Sequence, residues 1–346
     1  MEDFLASLHR EIDLRAEYGT KTTFETIFFG GGTPSLLTPR QLETILSHLN
    51  RVFPIDPSAE VTVETNPGTV SKEKLAEFRS LGINRLSIGI QSFEETDLQF
   101  LTRIHNVQQG LECYRHAREV GFENVSIDLI YALPDQSKAQ WLLNLERAVA
   151  LEPNHISAYG LIVEDNTPLA RLVSSKLIAP KPPDEEAEFF ELTMEFLEAH
   201  GFEHYEVSNY AKPGFRSRHN YNYWRHENYL GFGPSAHSFW NENNTARRWF
   251  NIPNLSHYCA DLREGTLPTQ REEILTKQQL VTEQVFLGLR SDGLRVSEIE
   301  SAFSAPQQSV VRELVQRGAA QHEDGLLRLT RQGYLLCDEI AARLIP

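Results

Sequence analysis

The stretch Thr26-Ile27-Phe28-Phe29-Gly30-Gly31-Gly32-Thr33-Pro34-Ser35 carries the reading of the chain: an apolar β-type run ends there in a glycine-rich polar turn. The arrangement recurs downstream. Val61-Thr62-Val63 ends in Glu64, the run Leu86 to Ile90 ends in Gln91, and Val125-Ser126-Ile127 ends in Asp128. Helical patterns with start and stop signals lie between these runs. Thr38-Pro39 suits an N-cap and first helical position, Ser71 an N-cap, and Gly82 and Gly121 C-terminal stops. Strands alternating with helices, with polar groups at the strand C-termini, predict a parallel barrel with its site on that rim.

Residues 3–18 read as an amphipathic helix with Phe4, Leu5, Leu8, Ile12 and Leu14 as its apolar stripe. Strands are expected at 26–29, 61–64, 86–90, 125–130 and 155–160, and a further one at 202–207. Helices are expected near 94–101, 107–120, 138–150 and 184–200. The fold class is α/β: a partial (β/α)6 TIM-like barrel over residues 1–207, with its first strand absent because the chain starts in a helix. Residues 208–265 are rich in Asn, His and aromatics without a long regular period, and read as an irregular functional cap. Residues 266–346 are helical again, with a turn at Gly325-Leu326-Leu327-Arg328-Leu329, and suggest a small helical, winged-helix-like domain.

A net charge of -15, from 33 basic against 48 acidic residues, argues against a general nucleic-acid or anionic-membrane surface. The acidic start Met1-Glu2-Asp3 has no signal-peptide pattern, and no apolar stretch approaches about 18 residues, so no integral membrane segment is expected and the location reads as cytoplasmic. Cys113, Cys259 and Cys337 are too far apart for a local metal motif. Cys113 and Cys337 read as buried apolar residues, and Cys259 beside His257 is a weak ligand idea.

Three glycines after a strand allow positive φ and close approach of a ligand, although a tight turn reads the same way. Glu64, Gln91 and Asp128 can take an ammonium and ribose hydroxyls, and Arg103 a carboxylate; each alone also reads as a cap or a rim salt bridge. Their joint order describes a pocket for a zwitterionic amino acid joined to a nucleoside. The run Ser217-Arg218-His219-Asn220-Tyr221-Asn222-Tyr223-Trp224-Arg225 stands apart. Composition alone favours a rigid aromatic loop with His219 merely hydrogen-bonded; the alternative is a haem ligand among flat rings, with arginines for the propionates.

Gly30-Gly-Gly-Thr-Pro-Ser35, Glu64-Thr-Asn-Pro67, Arg85-Leu-Ser-Ile-Gly-Ile-Gln-Ser-Phe93, Ile127-Asp-Leu-Ile-Tyr-Ala-Leu-Pro134 and Gly231-x-Gly-Pro-Ser-Ala-His237 together resemble the radical S-adenosylmethionine (SAM) enzymes related to oxygen-independent coproporphyrinogen III oxidase. The His219-Asn220-x-x-Tyr223-Trp224 motif is similar to that of the haem-chaperone branch. The resemblance covers nearly the whole chain. It implies that Gly31, Gly32 and Thr33 hold the methionyl part of SAM and that Glu64 lies near its amino group. By the same resemblance Gln91 and Asp128 meet the ribose, Arg103 meets the carboxylate, and Ile162 and His237 line the adenosine pocket. It also implies haem binding at His219, Asn220, Tyr223 and Trp224, with His219 on the iron, and transfer to an acceptor protein.

The family's C-x-x-x-C-x-x-C loop, which binds a [4Fe-4S] cluster, has no counterpart in this sequence, and the three cysteines cannot replace it by spacing. A late start at Met1 is the expected reason; a cluster-less paralogue with an exposed strand edge is the other reading. The expected function is haem chaperone, with oxygen-independent coproporphyrinogen III oxidase as the alternative.

Overall fold

The protein is described by a computed structural model covering residues 1–243, 245–299 and 303–345. Helix α1 (Glu2–Leu14) buries Leu8 and Ile12 as its stripe predicts, and Glu11 with them. Strands β1 (Phe24–Phe29), β2 (Ile55–Thr65), β3 (Arg85–Gln91), β4 (Asn124–Tyr131) and β5 (His155–Gly160) follow in order, each hydrogen-bonded in parallel to its predecessor. Their connections carry α2 (Pro39–Val52), α3 (Lys72–Ser80), α4 (Glu95–Phe100), α5 (Val107–Glu119) and α6 (Lys138–Ala150).

Local chemistry explains where these helices begin. Thr38 and Gln41 form a capping box ahead of α2, Asn106 and Gln109 one ahead of α5, and Ser137 and Gln140 one ahead of α6. The parallel strands bury Val63, Leu86, Ile88, Val125, Ile127 and Ile156 against the helices. Strand β2 starts six residues earlier than the predicted 61–64, at Ile55. Its Asp-Pro-Ser-Ala segment lacks an alternating apolar pattern and forms a break in register between the Phe24–Ile55 and Thr26–Glu60 pairs, so only the pair at Ile55 carries the strand back this far.

The sixth strand exists and runs in the same direction as the first five, but a reversed strand separates it from β5. After α7 (Pro168–Ser174) and α8 (Pro183–Ala199), β6 (Glu203–Glu206) turns back through Val207 and Ser208 into β7 (Asn209–Ala211). Strand β7 pairs antiparallel with both β5 and β6, so the sheet order is β1-β2-β3-β4-β5-β7-β6. A two-residue connection makes a hairpin and cannot make a parallel crossover. The sheet therefore has five adjacent parallel strands, a single reversed strand β7, and β6 running with the parallel set at one edge, with β1 at the opposite edge.

Residues 208–265 are more regular than their composition suggests. They contain α9 (Arg218–Trp224), β8 (His237–Glu242), β9 (Thr245–Asn251) and α10 (Leu255–Arg263). Strand β10 (Thr269–Leu275) completes a three-stranded antiparallel sheet in the order β10-β9-β8, so this unit extends past the expected boundary at 265. Its strands are charged and too polar to read as strands; Arg248–Glu273 at 3.1 Å and Arg247–Glu272 at 3.5 Å pair across it. Glu11 ties the unit to α1, accepting hydrogen bonds from Gly233 N–H (2.9 Å), Asn251 Nδ2 (2.6 Å) and Tyr258 Oη (2.6 Å).

The C-terminal region has its own core of Val285, Leu289, Leu294, Val311, Leu314, Leu327, Ile340 and Leu344. It comprises α11 (Lys277–Leu289), β11 (Leu294–Arg295), α12 (Val296–Ile299), α13 (Ala305–Gln316), β12 (Ala320–Glu323), β13 (Leu326–Leu329), α14 (Arg331–Tyr334) and α15 (Cys337–Leu344). The hairpin β12–β13 beside β11 is a wing; residues 326–329 are strand, and the turn sits at Asp324-Gly325. No helix among the described residues is long and apolar enough to cross a membrane.

Candidate functional site

The C-terminal ends of β1 to β5 surround a cavity of about 630 Å³. Gly31, Gly32, Thr33, Glu64, Gln91, Arg103, Asp128 and Ile162 all line it, so positions spread over 132 residues of sequence converge on one space. Gly31 has φ +96°, a conformation that disfavours side chains, and a Cβ added at Gly31 or Gly32 would meet nothing within 4 Å. The loop is an open cradle. Gly31 N–H donates to Glu64 Oε2 at 3.1 Å.

Gln91 closes β3 with φ +69° at a break in register with β4, which folds its side chain back over the sheet. Gly89 makes room for it: a Cβ there would lie 2.6 Å from Gln91 Nε2. Ser87 Oγ donates to both Asp128 oxygens, at 2.9 and 3.0 Å, and Ser126 Oγ donates to Oδ1 at 3.2 Å. Burial raises the Asp128 carboxyl above its ordinary range, opposed by these hydroxyls and by the Arg85 charge. Burial, then the Asp128 charge, raises Glu64 to about 7, against the Gly31 N–H.

Arg103 enters from the turn after α4. Its buried Nε has no hydrogen-bond partner, and burial lowers its pKa. A desolvated guanidinium without an internal partner is costly to hold and fits a carboxylate brought by a ligand. Carboxylate, ammonium and vicinal hydroxyls are the groups of S-adenosylmethionine, and the residues present fit them.

The Radical SAM superfamily matches residues 7–147, and the HemN C-terminal domain matches residues 275–336. The chain is 35% identical over 347 residues to Heme chaperone HemW of Bacillus subtilis, covering 98% of this chain and 90% of that protein. It is 40% identical over 238 residues to Heme chaperone HemW of Escherichia coli, covering 68% and 61%. The chain belongs to the HemW family of the radical SAM superfamily. In structure it is similar to coproporphyrinogen III oxidase (HemN) of Escherichia coli, with a TM-score of 0.82 over 99% of this chain and 83% of that one. At 23% identity that likeness establishes the radical SAM fold and nothing about substrate.

Two expected positions fall elsewhere. His237 begins β8 and stacks on Phe250 at 5.2 Å, in the small antiparallel sheet, and is not among the cavity's lining residues. Its motif, Gly231 to His237, serves packing: a Cβ at Gly231 would lie 2.1 Å from the His237 carbonyl oxygen. Cys259 is buried with its thiol toward the Asp3 carbonyl at 3.9 Å, and His257 shares no metal-type cluster with it. Among the described residues no group of three or more His, Cys, Asp or Glu is arranged to hold a metal, and the three buried cysteines do not supply ligands for a [4Fe-4S] cluster.

The His219 motif lies on α9, which is only seven residues long and so showed no readable period. Its members face different surroundings. Asn220 lines the rim cavity. Trp224, with Tyr221 and Arg225, lines a second cavity of about 390 Å³ against the C-terminal domain, where Arg295 and Arg328 also lie. His219 stacks on Phe28 at 4.8 Å, with Nδ1 2.8 Å from Thr26 Oγ1 and Nε2 2.9 Å from the Tyr223 hydroxyl. Both ring nitrogens are thus engaged, and burial lowers the imidazole to about 4. The plainer reading of His219, hydrogen-bonded within an aromatic wall, describes this arrangement.

Several site residues carried no signal in the sequence. Glu60 accepts the α9 amides of Arg218 (3.2 Å) and His219 (3.1 Å), yet it looks like one more charge ahead of a strand. Arg85 lines the cavity floor with its Nε buried and unpartnered. The alternation of Arg85 and Ser87 with Leu86 and Ile88 was the available clue: in a barrel the inward face of a strand can be polar.

Proposed function

We propose that this chain is a haem chaperone that holds S-adenosylmethionine in the rim cavity, takes up haem at α9 and passes it to an acceptor protein in the cytoplasm. The observation that carries this reading is the seat of α9: the helix bearing His219-Asn220-x-x-Tyr223-Trp224 sits across the barrel with Asn220 inside the cofactor cavity. Relatives of the same family bear the name Heme chaperone HemW.

In this proposal the Arg103 fork takes the cofactor carboxylate, Glu64 its ammonium, and Gln91 and Asp128 its ribose hydroxyls. The glycine cradle with Thr33 lets the methionyl backbone approach, and Ile162, 73% exposed at the rim, covers the adenine side. A [4Fe-4S] cluster belongs to the family expectation, but this sequence does not provide its thiolates.

Haem is proposed to engage His219, Asn220, Tyr223 and Trp224, with the guanidinium groups of Arg225, Arg295 and Arg328 facing its carboxylates. Iron ligation by His219 requires its ring to release Thr26 or Tyr223 first, because a nitrogen already hydrogen-bonded offers no free lone pair to the metal. Haem titration followed in the Soret band tests the reading, with transfer measured to apomyoglobin. Saturable binding that changes its spectrum in His219→Ala supports it. Absence of haem binding overturns the chaperone, and an unchanged spectrum in His219→Ala overturns the ligand.

A further inference from the structure

A line of buried hydrogen bonds joins the floor of the rim cavity to the start of α9. Ser126 Oγ lies 3.2 Å from Asp128 Oδ1 and 2.8 Å from His155 Nδ1. His155 Nε2 lies 2.8 Å from Tyr205 Oη, and Ser217 N lies 3.2 Å from the same oxygen. Ser126, His155 and Ser217 are 0% exposed and Tyr205 1%, so no bulk water substitutes for any of these partners.

The two ends leave one direction for the protons. While Asp128 is ionised it only accepts, so the single hydroxyl proton of Ser126 then points to it and Ser126 accepts from His155. Burial keeps His155 neutral, so with Nδ1 protonated its Nε2 is an acceptor, and Tyr205 donates to it. The Tyr205 oxygen is then free to accept from Ser217 N–H. From the other end, the backbone N–H of Ser217 can only donate, which turns the Tyr205 proton toward His155 and yields the same order. In the reversed line Tyr205 would accept from both His155 and Ser217, and its own buried hydroxyl proton would find no acceptor among the hydrogen bonds of the described residues.

Ser217 is the N-cap of α9, its hydroxyl accepting from Asn220 N–H at 3.3 Å. What happens to its backbone amide therefore bears on how the helix sits. We propose that His155 is a positioning residue that couples the nucleoside pocket to the His219 helix: its Nδ1–H tautomer, read at one end by Asp128 and at the other by Ser217, favours the ionised carboxylate when α9 is seated. The coupling rests on the reading of the rim cavity as a nucleoside site; the tautomer does not. Glu64, Arg85, Ser87 and Ser157 also face Asp128, and Arg85 bears on His155, so they set the background that the line biases.

Two measurements decide it. In ligand-free protein, nitrogen chemical shifts of labelled His155 are expected to show the neutral Nδ1–H tautomer; the Nε2–H tautomer overturns the inference by itself. S-adenosylhomocysteine is then the probe for coupling. Its addition is expected to slow amide exchange over Ser217 to Trp224 about fivefold in the native chain. Tyr205→Phe, which removes one oxygen and keeps the ring, should bind the probe a few-fold more weakly and lose most of that slowing, while retaining its melting temperature within a few degrees. Equal slowing in Tyr205→Phe, or none in the native chain with the probe bound, overturns the coupling. Failure of the probe to bind at all overturns the nucleoside site instead, a distinct result.

Discussion

The rim cavity and helix α9 are neighbours, yet their residues are arranged in opposite ways. The cavity collects groups from the ends of five strands into one space, whereas α9 distributes seven consecutive residues among three surroundings. A strand end in a parallel barrel has a defined place, because each strand lies beside its predecessor and its C-terminus lies on one rim. A short helix has no such constraint. Its faces are defined only by what packs on them, so a motif that is continuous in sequence need not be one site. His219 shows this most plainly, meeting Thr26, a residue 193 positions away, in place of an open pocket.

The contrast is most exposed to failure at Arg103. If the cavity is built for a ligand carboxylate, Arg103→Leu weakens S-adenosylmethionine binding on the order of a hundredfold by calorimetry. Because the Arg103 Nε has no internal partner, the melting temperature should hold or rise. A large loss of stability instead would make Arg103 a structural residue and dissolve the distinction between the two regions.

Glu64 sharpens the same side of the comparison through pH. Its pKa of about 7 lies above the ordinary 4.5, so the ionised form is the disfavoured one in the free protein. Its contribution to folding is therefore most favourable below about 4.5 and is lost as pH rises through 7. A ligand ammonium takes the ionised form, so binding releases a proton and tightens about tenfold between pH 6 and 8. Glu64→Gln should remove that slope; a slope surviving in the variant would transfer the titration to Asp128.

Glu60 tests the α9 side. Glu60→Ala deprives two helix amides of their acceptor, and their hydrogen exchange should accelerate by about tenfold. The effect on S-adenosylmethionine affinity should stay within a few-fold. Equal losses at both sites would show that helix and cavity are one unit. The smallest effect is expected at Thr26. Thr26→Val leaves His219 Nδ1 without its partner, and haem uptake, followed by stopped-flow absorbance, should quicken by a few-fold if release of the ring limits ligation.

Much of the barrel could be read directly. The apolar runs ending in Gly31, Glu64, Gln91 and Asp128 located their strands to within a few residues, apart from the early start of β2, and these four residues reached the cavity together. The reversed strand β7, inserted between β5 and β6, could not be read, because its place depends on a two-residue turn and on the free edge of β5. The strands β8 to β10 could not be read either: their few apolar residues, Phe239, Trp240, Ala246, Trp249 and Leu275, are buried by contacts with distant segments, and the remaining positions carry exposed Arg–Glu pairs that hide any alternation. His237 misled because its glycine-rich motif has the form of a binding loop while its chain geometry serves close packing.

By itself the amino-acid sequence determined the alternation of strands and helices, the rim chemistry and the family, since each depends on periodicity and on residues read in order along the chain. Only the tertiary structure decided which polar groups meet. The enclosure of His219 between Thr26 and Tyr223, the Glu60 cap on α9 and the line from Asp128 to Ser217 all depend on contacts between distant segments. The physical reason is that backbone hydrogen bonding and apolar period are local properties. Burial and the pairing of a polar side chain are properties of the whole packed fold.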